Sequence, residues 1–232
     1  MNKNTLSQSP STKAIAPKAS FAIAELSFIS GITLSVALLL HSSPALAHHP
    51  NGGKLPSNFV EGLLSGFGHP IIGIDHFVFV IAVGLLAALS KRAGMLIPVA
   101  FVAATAIGTA IHLQSVDLPV AELIISASVL VMGIFLARKE QTSLAILTVI
   151  SAIAGIFHGY AYGESIVGAE ITALGAYLLG FCAIQLAISW TAYFLGKKIL
   201  SKASIPNDLP LRFAGFTICG IGFSFLSSAI LG

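Results

Sequence analysis

Charged residues are scarce in this chain. Only 9% of its 232 residues are Asp, Glu, Lys or Arg, whereas 56% are hydrophobic. Soluble domains are about a quarter charged because their surfaces face water, so this composition excludes an ordinary globular protein, a disordered chain and a coiled coil. The composition predicts an all-α, polytopic membrane protein, and the length accommodates about six or seven helices of ~20 residues.

Cysteine, methionine and nucleotide-binding motifs are also scarce or absent. The two cysteines, Cys182 and Cys219, lie in apolar runs, so neither a disulfide framework nor a CxxC metal motif is expected. The chain has no GxxxxGK[ST] sequence, which excludes a P-loop ATPase. No basic face resembles a nucleic-acid-binding surface, so no nucleic-acid partner is expected. With only three methionines, a Cu(I) path is disfavoured as well.

The first 47 residues have the layout of a cleavable secretory signal peptide. The segment begins with three lysines, Lys3, Lys13 and Lys18. An apolar stretch follows at residues 26–40, and a small-x-small cleavage site follows at Ala45-Leu46-Ala47. A retained first membrane helix is the alternative, because the apolar stretch is close to spanning length. Cleavage would lower the net charge from +3 to +1. The mature chain would then begin at His48-His49-Pro50, where an amine beside an imidazole could chelate a divalent metal.

Six apolar runs bounded by charges and turn residues predict six transmembrane helices after the leader. They lie near residues 70–90, 94–113, 118–137, 142–160, 168–195 and 211–231. Residues 48–68 are predicted to form an external N-terminal segment with a short interfacial helix, which Ser57 caps and which Gly68 to Pro70 ends. Residues 69–232 would then form the six-helix transmembrane domain.

The positive charges orient these spans. Eight of the nine basic residues of the mature chain follow the first, third or fifth span: Lys91, Arg92, Arg138, Lys139, Lys197, Lys198, Lys202 and Arg212. Only Lys54 lies on the other side. The positive-inside rule therefore predicts that these loops are cytoplasmic and that both the mature N-terminus and the C-terminus lie outside. Every histidine of the mature chain then falls on or near the outer side.

Two histidines and an aspartate lie at the start of the first predicted span, in Gly68-His69-Pro70-Ile71-Ile72-Gly73-Ile74-Asp75-His76. On one helix beginning at Pro70, His69 and His76 share a face to within about 20° and lie roughly 10 Å apart along the axis. Asp75 could be a ligand, or could fix a histidine tautomer by accepting a hydrogen bond. Because an ionisable group in a bilayer costs about 2.5 to 3.5 kcal/mol, the group predicts a metal or proton role, the alternative being histidines that merely pack at a helix end.

A second motif, Phe157-His158-Gly159-Tyr160-Ala161-Tyr162-Gly163-Glu164, ends the fourth predicted span on the same side. Because the first and fourth spans are antiparallel, we predict two layers of ligands. The mouth would hold His69 and Glu164, and the deeper layer would hold Asp75, His76 and His158. Tyr160 and Tyr162 are interpreted as interface anchors. Auxiliary candidates at helix ends and at the mature N-terminus are His112, Glu122, His48 and His49.

The two motifs together resemble those of the HupE/UreJ family of nickel and cobalt permeases. The resemblance rests on HPxxGxDH in the first mature span and on residues 157–164 in the fourth, and it covers about residues 57–231. It implies a secondary transporter or facilitator that takes up Ni²⁺ or Co²⁺ across the bacterial inner membrane, with the ion as substrate and no prosthetic group. It further implies that the motif positions are needed for transport: His69, Asp75, His76, His158 and Glu164.

Two other classes of function stay open on the sequence alone. A membrane-embedded metallohydrolase could hold zinc at the His/Asp cluster with an open water position, and Glu164 could serve as its acid or base. A bis-histidine haem protein could present His76 and His158 to one haem. Small-residue faces in the later spans also leave oligomerisation open.

Overall fold

A computed structural model describes residues 54–90, 93–140, 142–202 and 208–231. Those residues form seven α-helices and no strand, which confirms the all-helical class. The helices are α1 (Phe59–Ile72), α2 (Ile74–Leu89), α3 (Leu96–Leu113), α4 (Ala121–Ala137), α5 (Leu144–Glu164), α6 (Ile171–Lys202) and α7 (Leu209–Leu231). The predicted signal peptide, His48 and His49 lie outside the described residues.

Four of these helices, α3, α5, α6 and α7, are long and apolar enough to cross a membrane. Helices α1 and α2 pass the same test only as a pair, and the pair is bent by 80° at the break between them. Helix α4 is apolar but has 17 residues. By length and composition the described chain therefore has four spans, or five with the bent pair, as expected of a multi-pass membrane protein. The count of six stays a prediction.

Helix α1 begins and ends at residues other than those predicted. Asn58, not Ser57, is the N-cap, and its side chain accepts a hydrogen bond from the backbone N–H of Glu61 at 3.0 Å. The helix also continues past Gly68 through Pro70 and breaks at Gly73. Proline lacks a backbone donor and crowds the preceding turn, yet Pro70 lies inside this helix, and the break follows only at Gly73.

The buried face of α1 consists of small residues. A Cβ atom at Gly62 or Gly66 would overlap the backbone carbonyl of Ala173 or Tyr177 in α6, so these two helices touch backbone to backbone. Larger apolar side chains lie on the opposite face, where Phe59 is 48% exposed. Close packing of small residues with apolar side chains outside is the pattern of helices within a membrane. Helix α1 is thus packed along α6, and its interfacial position at the membrane stays a prediction.

Helix α2 occupies the centre of the bundle and contacts every other helix. The other six pack in three close pairs around it, α1 with α6, α3 with α5 and α4 with α7. Glycine allows the close approach in each pair. In α5, for example, a Cβ atom at Gly159 would overlap the backbone of Thr105 in α3. This arrangement brings the end of α5 against the start of α2, where the two sequence motifs meet.

Candidate functional site

The break at Gly73 places His69 and His76 side by side. His69 lies in the last turn of α1 and His76 in the first turn of α2. Their ring centroids are 5.9 Å apart, and each side chain is 7% exposed. The sequence predicted both on one continuous helix, roughly 10 Å apart along its axis. The bend shortens this separation, so both imidazoles can approach one small ligand.

His158 joins this pair from α5. Its Nδ1 lies 2.8 Å from Nδ1 of His76, and its side chain is fully buried. Its other ring nitrogen, Nε2, lies 3.0 Å from the hydroxyl oxygen of Ser128 in α4. Three helices therefore hold the His76–His158 pair in place, as is usual for histidines whose ring orientation matters.

The hydrogen bonds assign the tautomers of this pair. Ser128 donates its single hydroxyl hydrogen to the carbonyl oxygen of Ile125 at 2.6 Å. Its oxygen therefore accepts from the Nε2–H of His158. A neutral imidazole carries one N–H, so Nδ1 of His158 is an acceptor and the Nδ1–H of His76 donates to it. The lone pair of the neutral His76 ring consequently lies on Nε2.

His69 is oriented in the same way by hydroxyl groups. Its Nδ1 lies 2.9 Å from Oγ of Ser165 and 3.1 Å from the hydroxyl oxygen of Tyr177. Both hydroxyls donate to the backbone carbonyl of Tyr162, at 3.1 and 2.8 Å. The two hydroxyl oxygens are also 3.0 Å from each other, so this group of contacts fixes the position of the His69 ring, and the donor at Nδ1 depends on the tautomer. In the tautomer that carries its hydrogen on Nδ1, the lone pair of the neutral His69 ring lies on Nε2.

Tyr162 is a member of this cluster and not an interface anchor. Its side chain is fully buried, and its ring centroid lies 4.9 Å from that of His69 and 4.7 Å from that of His76. Within the described chain its hydroxyl has no hydrogen-bond partner. Tyr160 points to a different face of α5, where its hydroxyl donates to Asp117 at 3.2 Å. The interpretation of Tyr162 as an anchor was therefore wrong.

Two phenylalanines cover the inner side of the His76–His158 pair. The ring centroid of His158 is 4.4 Å from that of Phe79 and 5.8 Å from that of Phe101. Both phenylalanines are fully buried, and their own ring centroids are 4.9 Å apart. The three histidines thus form a polar layer that borders directly on the apolar core of the bundle.

The predicted carboxylates lie less centrally. Asp75 is partly buried, and its Oδ1 accepts a hydrogen bond from the backbone N–H of His76 at 2.8 Å. A carboxylate there stabilises the start of α2. Glu164 is exposed, and it is the next residue, Ser165, that contacts His69. Among the described residues, no three His, Cys, Asp or Glu side chains lie close enough together to hold a metal ion. The predicted metal-binding roles stay predictions.

The two auxiliary candidates within the described residues, His112 and Glu122, are separate from the histidine layer. His112 packs against Tyr160 and Gly163, with 4.4 Å between the rings of His112 and Tyr160. Those two residues lie on a face of α5 other than the face that carries His158. Glu122 is exposed in the first turn of α4. Neither auxiliary candidate is brought to the three histidines.

The residues that orient the histidines were not found from the sequence. Ser128, Ser165 and Tyr177 supply the hydroxyl contacts, and Tyr162 supplies a ring face. A serine in an apolar helix is a weak signal, because such hydroxyls often bond only to their own helix. Ser128 bonds both to Ile125 in its own helix and to His158 in α5.

Comparison with known proteins agrees with the motifs. The family model described as HupE / UreJ protein matches residues 36–225. Protein HupE of Rhizobium leguminosarum bv. viciae is 27% identical over 198 residues, which are 85% of this chain and 97% of that protein. No solved structure matches this chain. Because the family model covers well over half of the sequence, the chain belongs to the HupE / UreJ family.

Proposed function

We propose that this chain is a secondary transporter or facilitator that carries Ni²⁺ or Co²⁺ inward across the bacterial inner membrane. The observation that carries the proposal is the pair of buried imidazoles, His69 and His76, each of which is held at Nδ1 by a polar contact. Imidazole nitrogen suits both ions, and a hydrogen bond at the second ring nitrogen is typical of metal-binding histidine. Family membership supports the same substrate class.

The two ends of the bundle differ in charge, which supports an inward direction of transport. His76 lies at the start of α2, whereas Lys197 donates a hydrogen bond to the backbone of Ser90 at the other end of that helix. Arg212 likewise donates to the carbonyl of Ala137, at the end of α4. By the positive-inside rule the basic end is cytoplasmic, so the ion reaches the histidines from outside.

The limited ligand set is consistent with transport. A site built mainly from imidazole nitrogens would bind a divalent ion with moderate affinity, and an ion that is transported must also be released. Structural metal sites, in contrast, close four ligands around the ion.

The alternatives fit this geometry less well. The rings of His76 and His158 contact each other directly, so a haem could not lie between them without separating α2 from α5. A metallohydrolase would need water and a bulky substrate at the same imidazoles, whose side chains are at most 7% exposed. Transport of a small ion demands less space than either.

Uptake of radioactive nickel and cobalt by expressing cells tests the proposal. We expect His69→Ala and His76→Ala to lower initial uptake about tenfold or more at equal protein abundance, because each removes one imidazole ligand. His112→Ala is the matched control, since His112 lies outside the layer, and it should retain most of the uptake. Unchanged uptake in both His69→Ala and His76→Ala would contradict the proposed site.

The proposed sidedness has its own test. Single cysteines at Lys139 and Glu164, in a chain whose Cys182 and Cys219 are replaced by serine, should react with an impermeant thiol reagent from opposite sides of the membrane. The cysteine at Glu164 should be the one labelled from outside. Labelling of both positions from one side would contradict the orientation.

A further inference from the structure

Gln185 lies in the interior of the bundle below the histidine cluster. It is fully buried in α6, on the stripe that also carries Tyr177 and Phe181 at intervals of four residues. Tyr177 bonds to His69, and the ring of Phe181 lies 5.4 Å from that of Tyr162. At ~1.5 Å per residue, Gln185 is about 12 Å further along the helix than Tyr177, towards the basic end.

The hydrogen bonds of Gln185 determine which side-chain atom has no partner. Its Nε2 lies 3.0 Å from the backbone oxygen of Phe181, which can only accept, so this atom is the amide nitrogen. Nε2 also donates to Oγ1 of Thr105 at 3.3 Å, and that hydroxyl donates its own hydrogen to Val102. Both amide hydrogens are thus used. The side-chain oxygen, Oε1, is buried and has no partner among the described residues.

Gln185 is connected to the surroundings of His158 through α3. Thr105, which holds the amide, contacts the backbone of Gly159, the residue after His158. Phe101, one turn before Thr105 in α3, packs against the ring of His158. Gln185 therefore lies beside the inner boundary of the histidine layer, and not in a remote part of the core.

Two further buried oxygens of the described chain have no hydrogen-bond partner, those of Tyr162 and Ser151 in α5. Tyr162 is one turn outward of His158 on α5, and Ser151 is two turns inward on nearly the same face. An unpaired buried oxygen destabilises a fold, and leucine would fill the place of Gln185 without that cost. Glutamine at this position therefore indicates a role for its oxygen.

We propose that the side-chain oxygen of Gln185 is an inner ligand for the transported divalent cation, which it binds after the cation leaves the histidines. The inference rests on the proposed transport function. An uncharged amide oxygen binds Ni²⁺ or Co²⁺ more weakly than imidazole does, and conduction requires successive sites that each release the ion. Gln185 thereby lowers the barrier between the polar layer and the apolar core.

The test compares Gln185→Leu with the matched control Ser189→Ala. Ser189 is equally buried one turn further along α6, but its hydroxyl bonds only to its own helix. We measure initial uptake of radioactive nickel and cobalt over a range of external concentrations, at equal protein abundance in the membrane. Gln185→Leu should lower the maximal rate about tenfold and change the half-saturating concentration less than about threefold, because the outer site is intact.

A conservative variant separates ligation from packing. Gln185→Met keeps the length of the side chain without its oxygen and should be as slow as Gln185→Leu, whereas Ser189→Ala should match the wild type. If Gln185→Leu does not reach the membrane, Gln185→Met gives the same comparison. A maximal rate at the wild-type level in either apolar variant at equal abundance overturns the inference. If the wild-type chain takes up neither ion above cells with empty vector, the proposed function fails and this inference with it.

Discussion

Gly73 has no side chain, and the imidazole of His76 occupies the space that a side chain there would fill. Its backbone angles, φ −72° and ψ 101°, are open to alanine, so Gly73→Ala does not strain the chain. The added Cβ atom would lie 2.6 Å from Cδ2 of His76. Carbon atoms in ordinary contact are about 3.5 to 4.0 Å apart, so the imidazole must move by about 1 Å.

That movement is large on the scale of the site. It breaks the 2.8 Å contact between Nδ1 of His76 and Nδ1 of His158. A buried group that loses its hydrogen-bond partner costs about 1 to 3 kcal/mol, and this is the expected fall in the free energy of unfolding. A functional group displaced by about 1 Å can lower a rate as much as 100-fold, so initial nickel uptake should fall between about tenfold and 100-fold.

The control for this substitution is Gly175→Ala. A Cβ atom at Gly175 in α6 would meet nothing within 4 Å, so this variant adds the same methyl group without a clash. Both variants are compared with the wild type by initial uptake at equal abundance and by thermal unfolding in detergent. Equal uptake by Gly73→Ala and Gly175→Ala would refute the reasoning, because transport would then not depend on where the His76 ring lies.

Three further predictions concern the contacts around the site. Ser128→Ala leaves the Nε2–H of His158 unpaired, so it should lower the free energy of unfolding by about 1 to 3 kcal/mol and weaken nickel binding to the purified protein; an unchanged binding isotherm would contradict this. Tyr177→Phe removes one of two hydroxyl partners of His69, so a smaller loss of about 0.5 to 1.5 kcal/mol is expected by thermal unfolding, and no loss would show that the remaining partner suffices. Gly159→Ala inserts a methyl group into the backbone of α3, and it should prevent accumulation of folded protein; a normal yield and melting temperature would contradict the close packing.

Most helix positions could be predicted because charges and turn residues bound the apolar runs. The runs 94–113 and 118–137 correspond to α3 and α4, which begin two and three residues later. The end of α6 was harder to predict. It was placed at residue 195, yet the helix continues to Lys202, since lysines extend a helix as readily as they flank a membrane span. The break at Gly73 was missed because Pro70 is as compatible with the start of a helix as with its last turn.

The candidate site was predictable only in part. Matching depths on antiparallel helices put His76 and His158 at one level, and the structure brings these two rings into contact. The same reasoning paired His69 with Glu164, but the structure places Ser165 and Tyr177 beside His69 instead. Depth along a helix can be counted in residues, whereas the direction of a side chain depends on how the helices rotate as they pack, and spacing alone does not contain that information.

Because His69 and His76 lie on either side of a bend, the distance between their imidazoles depends on the angle between α1 and α2. His69 lies four residues before Gly73, so it moves at the end of an arm of about 6 Å, and a rotation of about 10° displaces it by about 1 Å. Metal–ligand distances are held to about 0.2 Å, which corresponds to about 2° at this arm length. An angle held to about 2° requires that α1 be fixed firmly against α6. The glycine contacts between the two helices supply this, and one of them, at Gly62, lies about two turns from His69. In the proposed transport, residues that never touch the ion would therefore set how sharply it is recognised.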